Sequence, residues 1–437
     1  MLVNKETLLY FTIRLASYPF RWMPYSWIRQ AGIFFGNLCF YTMKNFRKRA
    51  LSNLALAKDL SLSRAQIMQT AKESFQNLVT ICLEYPKLDA TKKLPSSIRC
   101  ENPEVADRLH KQGQGIIFFC GHQSNWEILF LEGTTRMKGV AIGKPIQNKK
   151  LYHWILSIRE KYGGKIIAPR NAVAQGLKAL REGCFLGIVG DQAMPSSGYA
   201  FPFLGRKAWT STAPALLSHK TNSPIIFAST KRTSEGYLIH YSDPIWPDLS
   251  LPIEKEVIRL MDLLLSRLEQ STKETPGEWL WQHNRWKQQT PKNICKPFRH
   301  DSICIILPEK KEAFDPLYHA LSSLKEIYSV DFLCLVIPSC FKDRPLIEVN
   351  QVIYYSHLKE TLLNDLRFKL IFNFTEYKQI DRHFKNLSAM TILDLPTLKK
   401  LAKPHLSSAL ENDLPQIFKR ALCRPGSLWR KEEEHAR

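Results

Sequence analysis

Short apolar runs alternate with amphipathic segments through the middle of the chain. The runs cover residues 116–120, 140–143, 165–168, 185–189, 224–229 and 237–241, and apolar residues at helical spacing mark 149–162, 172–181 and 211–220. Short apolar runs bounded by turn residues are typical of buried strands. Strands that alternate with helices predict an α/β fold, with a mixed central sheet in this part of the chain.

A second α/β unit is predicted after a compositional break. Pro291 and Pro297 bracket a polar stretch, and Gly426 is the one glycine from there to residue 437. Strand-like runs recur at 302–307, 332–337, 352–355, 370–374 and 391–393, with a helical pattern at 313–327. These runs predict a Rossmann-like domain over 298–437. No glycine follows Leu307, where a phosphate-binding turn would need one, so we expect a structural or docking role without nucleotide binding.

Residues 1–45 form a basic, aromatic-rich segment, which precedes the domain predicted over 46–290. The first 50 residues contain eight Lys or Arg and a single acidic residue, Glu6. The apolar stretch 31–43 is short for a bilayer core of roughly 30 Å. We therefore expect a membrane-associated helical segment, either a marginal transmembrane anchor or a helix lying in the interface. A buried core helix is the remaining interpretation.

Net charge limits the classes of partner that we expect, and cysteine spacing limits the metal sites. The formal net charge is +22, which favours an anionic membrane surface or another anionic partner. No zinc-finger, leucine-zipper or RNP-like pattern is present, so we expect no nucleic acid partner. The 10 cysteines are irregularly spaced without a C-x-x-C pair. That spacing predicts reduced, buried thiols and no metal site. We also expect no cofactor.

The sequence around His122 carries the strongest chemical signal. After the strand-like run 116–120 and Gly121, the chain reads His-Gln-Ser-Asn-Trp-Glu, with helical spacing from Glu127 onward. Residues five apart lie on different faces of one helix. We therefore expect His122 in the turn, with Glu127 reaching back to it from the first helical turn. Such a pair suits a general base for acyl transfer to a hydroxyl group. Alternatively, Ser124 and Glu127 form a capping box.

Further signals follow in a fixed order. They are Pro169-Arg170-Asn171, Asp191-Gln192, the loop 203–206 and a Trp-rich cationic stretch at 278–287, and a basic segment at 45–54 precedes His122. Together with the His122 motif they resemble the lipid A biosynthesis acyltransferases, bacterial membrane enzymes that add secondary acyl chains to lipid A. The resemblance covers about residues 5–290, and the tail beyond 295 lies outside the family pattern.

The resemblance implies a function and a set of roles. An acyl carrier protein thioester would be the donor and an anionic glycolipid, a lipid A precursor, the acceptor, at the cytoplasmic side of the bacterial inner membrane. His122 would be the general base, with Glu127 holding its tautomer. Arg170 would bind a phosphate or the oxyanion, and Asp191 would organise that arginine or the turn.

The same resemblance assigns the Trp-rich stretch to membrane lipids. Trp279 and Trp281 would anchor at the bilayer interface, although core positions explain them equally well, and Arg285 would lie near lipid phosphates.

Other functions compete with this one. A glycerolipid or lysophospholipid acyltransferase would use the same His-x4-acid chemistry, but such enzymes more typically carry Asp at the position of Glu127. A glycosyltransferase would place a sugar nucleotide between two α/β halves, which the glycine-poor tail disfavours. A basic membrane adaptor without catalysis would tolerate loss of His122.

Overall fold

The computed structural model describes residues 5–194, 199–286, 291–345 and 347–426. Its helices are α1 Lys5–Ser17, α2 Tyr25–Thr42, α3 Lys44–Leu56, α4 Arg64–Ala90, α5 Glu104–Lys111, α6 Trp126–Arg136, α7 Lys149–Arg159, α8 Ala172–Arg181, α9 Ala213–Thr221, α10 Ile253–Glu274, α11 Lys311–Ile327, α12 Gln379–Asn386, α13 Leu395–Ala402 and α14 Leu414–Leu422. Its strands are β1 Ile98–Cys100, β2 Ile116–Cys120, β3 Gly139–Ile142, β4 Lys165–Ile167, β5 Phe185–Val189, β6 Ala200–Phe203, β7 Arg206–Trp209, β8 Ile225–Arg232, β9 Tyr237–Tyr241, β10 Ser302–Ile306, β11 Phe332–Pro338, β12 Gln351–Tyr355, β13 Leu370–Asn373 and β14 Thr391–Leu393.

The chain divides into two compact units. The N-terminal unit contains Met1–Met43 and Asp59–His283, and the C-terminal unit contains Lys44–Lys58 and Asn284–Arg437. The predicted α/β class is confirmed in both units. The basic segment 45–54, which sequence reasoning assigned to the 46–290 domain, belongs to the C-terminal unit.

The N-terminal unit is built on a seven-stranded mixed sheet. The strand order is β1-β9-β8-β2-β5-β3-β4, and every neighbouring pair is parallel except β8 with β9. Strands β2 and β5 are rich in large apolar residues because they are central and covered on both faces. Strands β2, β4, β5 and β8 all end at one edge of the sheet, called here the carboxyl edge. Side chains that follow these strands lie along that edge.

Two helices from the first 90 residues pack closely in the N-terminal unit. Helix α4 begins with a capping box between Ser63 and Gln66. A Cβ atom at Gly36 of α2 would lie 2.4 Å from Cα of Gln76 in α4, so the two backbones approach as closely as a glycine allows. None of the helices in the described part of the chain combines the length and the apolarity needed to cross a bilayer.

The C-terminal unit is built on a single parallel sheet. Its five strands are parallel in the order β12-β11-β10-β13-β14. Helix α3 completes this unit, since Ser52 Oγ donates to the carbonyl of Arg367 at 2.5 Å. The buried ammonium of Lys369 donates to Asp301 at 2.7 Å and to Asn53 Oδ1 at 2.8 Å.

Candidate active site

His122 lies in the turn after strand β2, as predicted, and Asp191 lies after the neighbouring parallel strand β5. The Nδ1 atom of His122 is 2.6 Å from Oδ1 of Asp191. The backbone N–H of His122 donates to Oδ2 of the same carboxylate at 2.7 Å. Asp191 is therefore the carboxylate partner of the imidazole, a more direct role than the organising one expected from the sequence.

The Asp191 carboxylate is buried and takes part in three hydrogen bonds. Trp279 Nε1 donates to Oδ2 at 2.8 Å, in addition to the two bonds from His122. Burial alone would raise the pKa of Asp191, but the imidazole and its hydrogen bonds outweigh burial and hold that pKa below its usual value. A Cβ atom at Gly121 would lie 2.5 Å from Cδ1 of Leu268 and 3.2 Å from Oδ2 of Asp191, so a larger residue would require the Leu268 side chain to shift.

This pairing determines which nitrogen of His122 can react. An ionised carboxylate only accepts hydrogen bonds, so Nδ1 carries a proton, and in the neutral ring Nε2 is the nitrogen with a free lone pair. The amide nitrogen of Gln192 lies 3.3 Å from Nε2. The Trp126 ring meets the imidazole edge-on, with centroids 4.7 Å apart. The His283 ring lies nearly parallel to it, 6.2 Å away. The arrangement provides a base at Nε2.

The contacts of Glu127 differ from those expected. Its carboxylate accepts hydrogen bonds from Nε of Arg159 at 2.7 Å and from Nη2 at 2.5 Å. The expected bond from Glu127 to His122 was wrong, because α6 directs this carboxylate toward the last residue of α7. The capping-box alternative was also wrong: the N-cap of α6 is Asn125, whose Oδ1 accepts from the backbone N–H of Glu127 at 3.2 Å. A catalytic role for Glu127 stays a prediction.

A network of buried polar side chains stabilises the His122 turn, which comprises residues 121–125. Glu84 of α4 accepts from Asn125 Nδ2 at 2.6 Å, from Arg232 at 2.7 Å and from the hydroxyl of Tyr237. Ser124 has a positive φ of 49°, a conformation that costs energy for a residue other than glycine. The network around Glu84 opposes relaxation of this strained turn.

Residues 278–280, near the end of the N-terminal unit, also pair with the His122 turn. The backbone N–H of Ser124 donates to the carbonyl of Glu278, and that of Leu280 donates to the carbonyl of His122, both at 3.0 Å. Asn77 Nδ2 donates to the carbonyls of Ser124 and Glu278. This backbone pairing therefore fixes the position of His122 at the carboxyl edge.

The interpretation of the Trp-rich stretch as a membrane anchor was wrong. Trp279 is 1% exposed and Trp281 is 0% exposed, so both are core residues, the alternative considered from the sequence. Their rings meet edge-on, with centroids 4.6 Å apart. Arg285, grouped with the C-terminal unit, is fully buried and does not lie at the surface where a lipid phosphate would contact it. Lys287 lies outside the described residues.

Arg170 lies at the carboxyl edge but apart from the His122–Asp191 pair. It lies in a short 3-10 turn, Pro169–Asn171, directly after β4. Because β4 is separated from β2 by β3 and β5, this guanidinium stands three strands from His122 along the carboxyl edge. Its side chain is exposed and makes no ion pair with the described residues.

Sequence reasoning missed three of the groups around the turn. Arg159 and Glu84 carry no local signal, since charged residues in helices are usually solvated. Gln192 was noted only as half of an acid–amide pair. Its position directly after Asp191 at a strand end could have identified it.

Comparison with known protein families gives a match that covers the residues of this edge. The family model described as bacterial lipid A biosynthesis acyltransferase matches residues 6–288. No curated protein matches the chain.

Proposed function

We propose that this chain, which belongs to the bacterial lipid A biosynthesis acyltransferases, moves a fatty acyl chain from an acyl carrier protein thioester to a hydroxyl group of a lipid A precursor. Family membership makes it an acyltransferase acting on lipid A. The thioester donor, the base and the membrane location belong to the proposal. The observation that carries the chemistry is the contact of His122 Nδ1 with Asp191, which leaves Nε2 as a base.

The proposed reaction proceeds by direct transfer. Nε2 of His122 takes the proton of the acceptor hydroxyl as its oxygen attacks the thioester carbonyl carbon. The tetrahedral intermediate collapses, the carbon–sulfur bond breaks, and the thiolate takes the proton back from His122. Asp191 stabilises the imidazolium that exists between these steps. The Glu127–Arg159 pair has a positioning role, because it fixes the start of α6, which directly follows the His122 turn.

Exposed apolar side chains on the first two helices support membrane docking. On α2 the exposed Trp27, Phe34, Leu38 and Tyr41 recur at helical spacing and form one face. On α1, Leu8, Phe11 and Leu15 are exposed as well. Large apolar side chains beside basic residues are typical of helices that lie in a bilayer interface. We therefore propose docking to the cytoplasmic face of the inner membrane.

Net charge and Arg170 support the proposed substrates. Carrier protein, phosphorylated acceptor and inner leaflet are all anionic, and the chain carries +22 formal charges. Arg170 offers an exposed guanidinium at the edge that holds His122, and guanidinium groups bind phosphates through paired hydrogen bonds.

A reconstituted assay tests the proposal. The purified protein is incubated in vesicles with an acyl carrier protein thioester and a lipid A precursor, and the products are read by mass spectrometry. We expect a mass increase of one acyl chain, and a loss of about 100–10,000-fold in rate for His122→Ala. His153→Ala is the matched control, because it removes an exposed imidazole from α7. Transfer to lysophospholipids alone, or full activity of His122→Ala, would contradict the proposal.

A further inference from the structure

A polar cavity of about 420 Å³ opens beside the His122 turn. Its wall comes from α2, α4, the end of β8 and residues 274–278, and we call it the α4 pocket. The side chains that matter below are Arg29, Glu73, Arg232, Glu274 and Glu278. Its volume is in the range of pockets that hold small molecules or one part of a larger ligand.

The α4 pocket lies next to the base on the carboxyl edge. Strand β8 is the neighbour of β2 on the side away from β5, and the two run parallel, so Arg232 ends its strand at the same edge. The pocket and the His122 turn also share one hydrogen-bonded piece of structure. Gln123 Nε2 donates to Thr275 Oγ1 at 2.5 Å, and the backbone of Ser124 pairs with Glu278. The α4 pocket and the His122 turn are therefore adjacent parts of the N-terminal unit.

The charges of the pocket favour hydroxyl groups over phosphate. Three carboxylates, Glu73, Glu274 and Glu278, face two guanidinium groups, Arg29 and Arg232. Arg232 is already bonded to Glu84 and Asn77, each at 2.7 Å. The pocket therefore has no positive surplus to hold a phosphate, whereas carboxylates accept hydrogen bonds from ring hydroxyl and amide groups.

Glu278 contributes a buried carboxyl group to the pocket wall. Its Oε2 atom makes no hydrogen bond of normal geometry among the described residues, although the Ser124 side chain interacts with this carboxyl. Burial raises the pKa of this carboxyl. Buried polar atoms without partners are rare, and each one needs an explanation such as a bound group.

The surroundings of the pocket suit an amphiphile. Arg29 and Ile33 border it from α2, and the opposite face of the same helix carries the exposed Trp27 and Phe34. With that face in the bilayer interface, a polar head in the α4 pocket would keep its attached chains at the level of the lipid.

We propose that the α4 pocket binds a sugar ring of the acceptor's headgroup and presents the acceptor hydroxyl to His122. The inference rests on the proposed acyl transfer to a lipid A precursor and adds the place where the acceptor binds.

Steady-state kinetics of Glu73→Gln and Arg29→Ala test this assignment. We expect the acceptor KM to rise about 5–30-fold, which is the loss of one or two hydrogen bonds to a charged group. The donor KM and kcat should change little, because neither residue contacts the His122 turn. Arg99→Ala is the matched control, since it removes a cation from a separate cavity of about 630 Å³ at the C-terminal end of α6. Because Arg29 also carries a positive charge on α2, vesicle sedimentation of Arg29→Ala measures whether the substitution weakens membrane binding.

Direct binding separates the two proposals. Calorimetry with the deacylated, headgroup-only form of the lipid A precursor should give saturable binding to the wild type and weaker binding to Glu73→Gln. Binding without acyl transfer would overturn the proposed function and leave the pocket assignment standing. Acyl transfer with an unchanged acceptor KM in Glu73→Gln, or an equal rise in Arg99→Ala, would overturn the pocket assignment alone.

Discussion

Asp191 is the residue on which the proposed base depends. In Asp191→Asn, we expect kcat to fall about 100–10,000-fold, because an amide no longer stabilises the imidazolium and can offer Nδ1 an N–H in place of an acceptor. Rates with the carrier protein thioester measure the effect. A kcat within a few-fold of the wild type would show that the 2.6 Å contact has no role in the chemistry.

Glu127→Gln separates a positioning role from a direct one. Glutamine keeps one acceptor for Arg159 but removes the charge, so we expect a loss of about 1–3 kcal/mol in the free energy of unfolding and a smaller drop in kcat than for Asp191→Asn. Urea unfolding and the acyl transfer assay provide the two measurements. Should Glu127→Gln lose as much kcat as Asp191→Asn at unchanged stability, Glu127 acts at the reacting atoms.

The sequence predicts individual site residues better than their partners. His122 and Asp191 each follow an apolar strand, which is a local signal. That they touch depends on β2 and β5 being neighbours, and 69 residues separate them. Glu127 and Arg159 are 32 residues apart on two helices, and no periodicity records how those helices are oriented.

At the scale of the elements, a substitution at Gly36 tests how closely α2 packs on α4. In Gly36→Val the added side chain would meet the backbone of α4 at Gln76, which cannot move aside locally. We expect a loss of about 1–3 kcal/mol or more in the free energy of unfolding, as for other overpacked sites. Thermal unfolding measures it, and Gln30→Val on the exposed side of the same helix is the control. Equal stability of the two variants would contradict the close packing of α2 on α4.

Strand bounds were predicted closely because each strand is a short apolar run between turn residues. The runs 116–120, 185–189 and 391–393 coincide with β2, β5 and β14. Strand order was not predictable in the same way. The position of β8 next to β2, which creates the α4 pocket, follows from packing across more than 100 residues of sequence.

In the whole molecule, the C-terminal unit depends on a helix from the first 60 residues. Leu54 of α3, a helix grouped with this unit, is 1% exposed, so Leu54→Ala should lower the free energy of unfolding by about 2–5 kcal/mol. Leu401→Ala on α13 is the control, because that side chain is 37% exposed. Urea unfolding compares them, and equal losses would mean that α3 contributes no core to the unit.

Acid should also weaken the C-terminal unit through His300. Burial lowers the pKa of this ring to about 4, helped by the charge of Lys369 and opposed by Asp301. The unfolded ring titrates near 6.5. The folded state therefore favours the neutral ring, and its contribution is complete above pH 6.5 and declines as the pH falls toward 4. His300→Gln should make unfolding free energy less dependent on pH across this interval, and parallel curves for both proteins would contradict it.

The bond between Asn53 and Lys369 joins residues 316 positions apart. A ribosome adds about 5–20 residues per second, so on the order of 16–60 s pass between synthesis of α3 and synthesis of its partner strand. During that interval the apolar face of α3 has no partner from its own unit. We expect a nascent chain to require shielding of this helix, by a chaperone or by the membrane surface, until translation has passed β13.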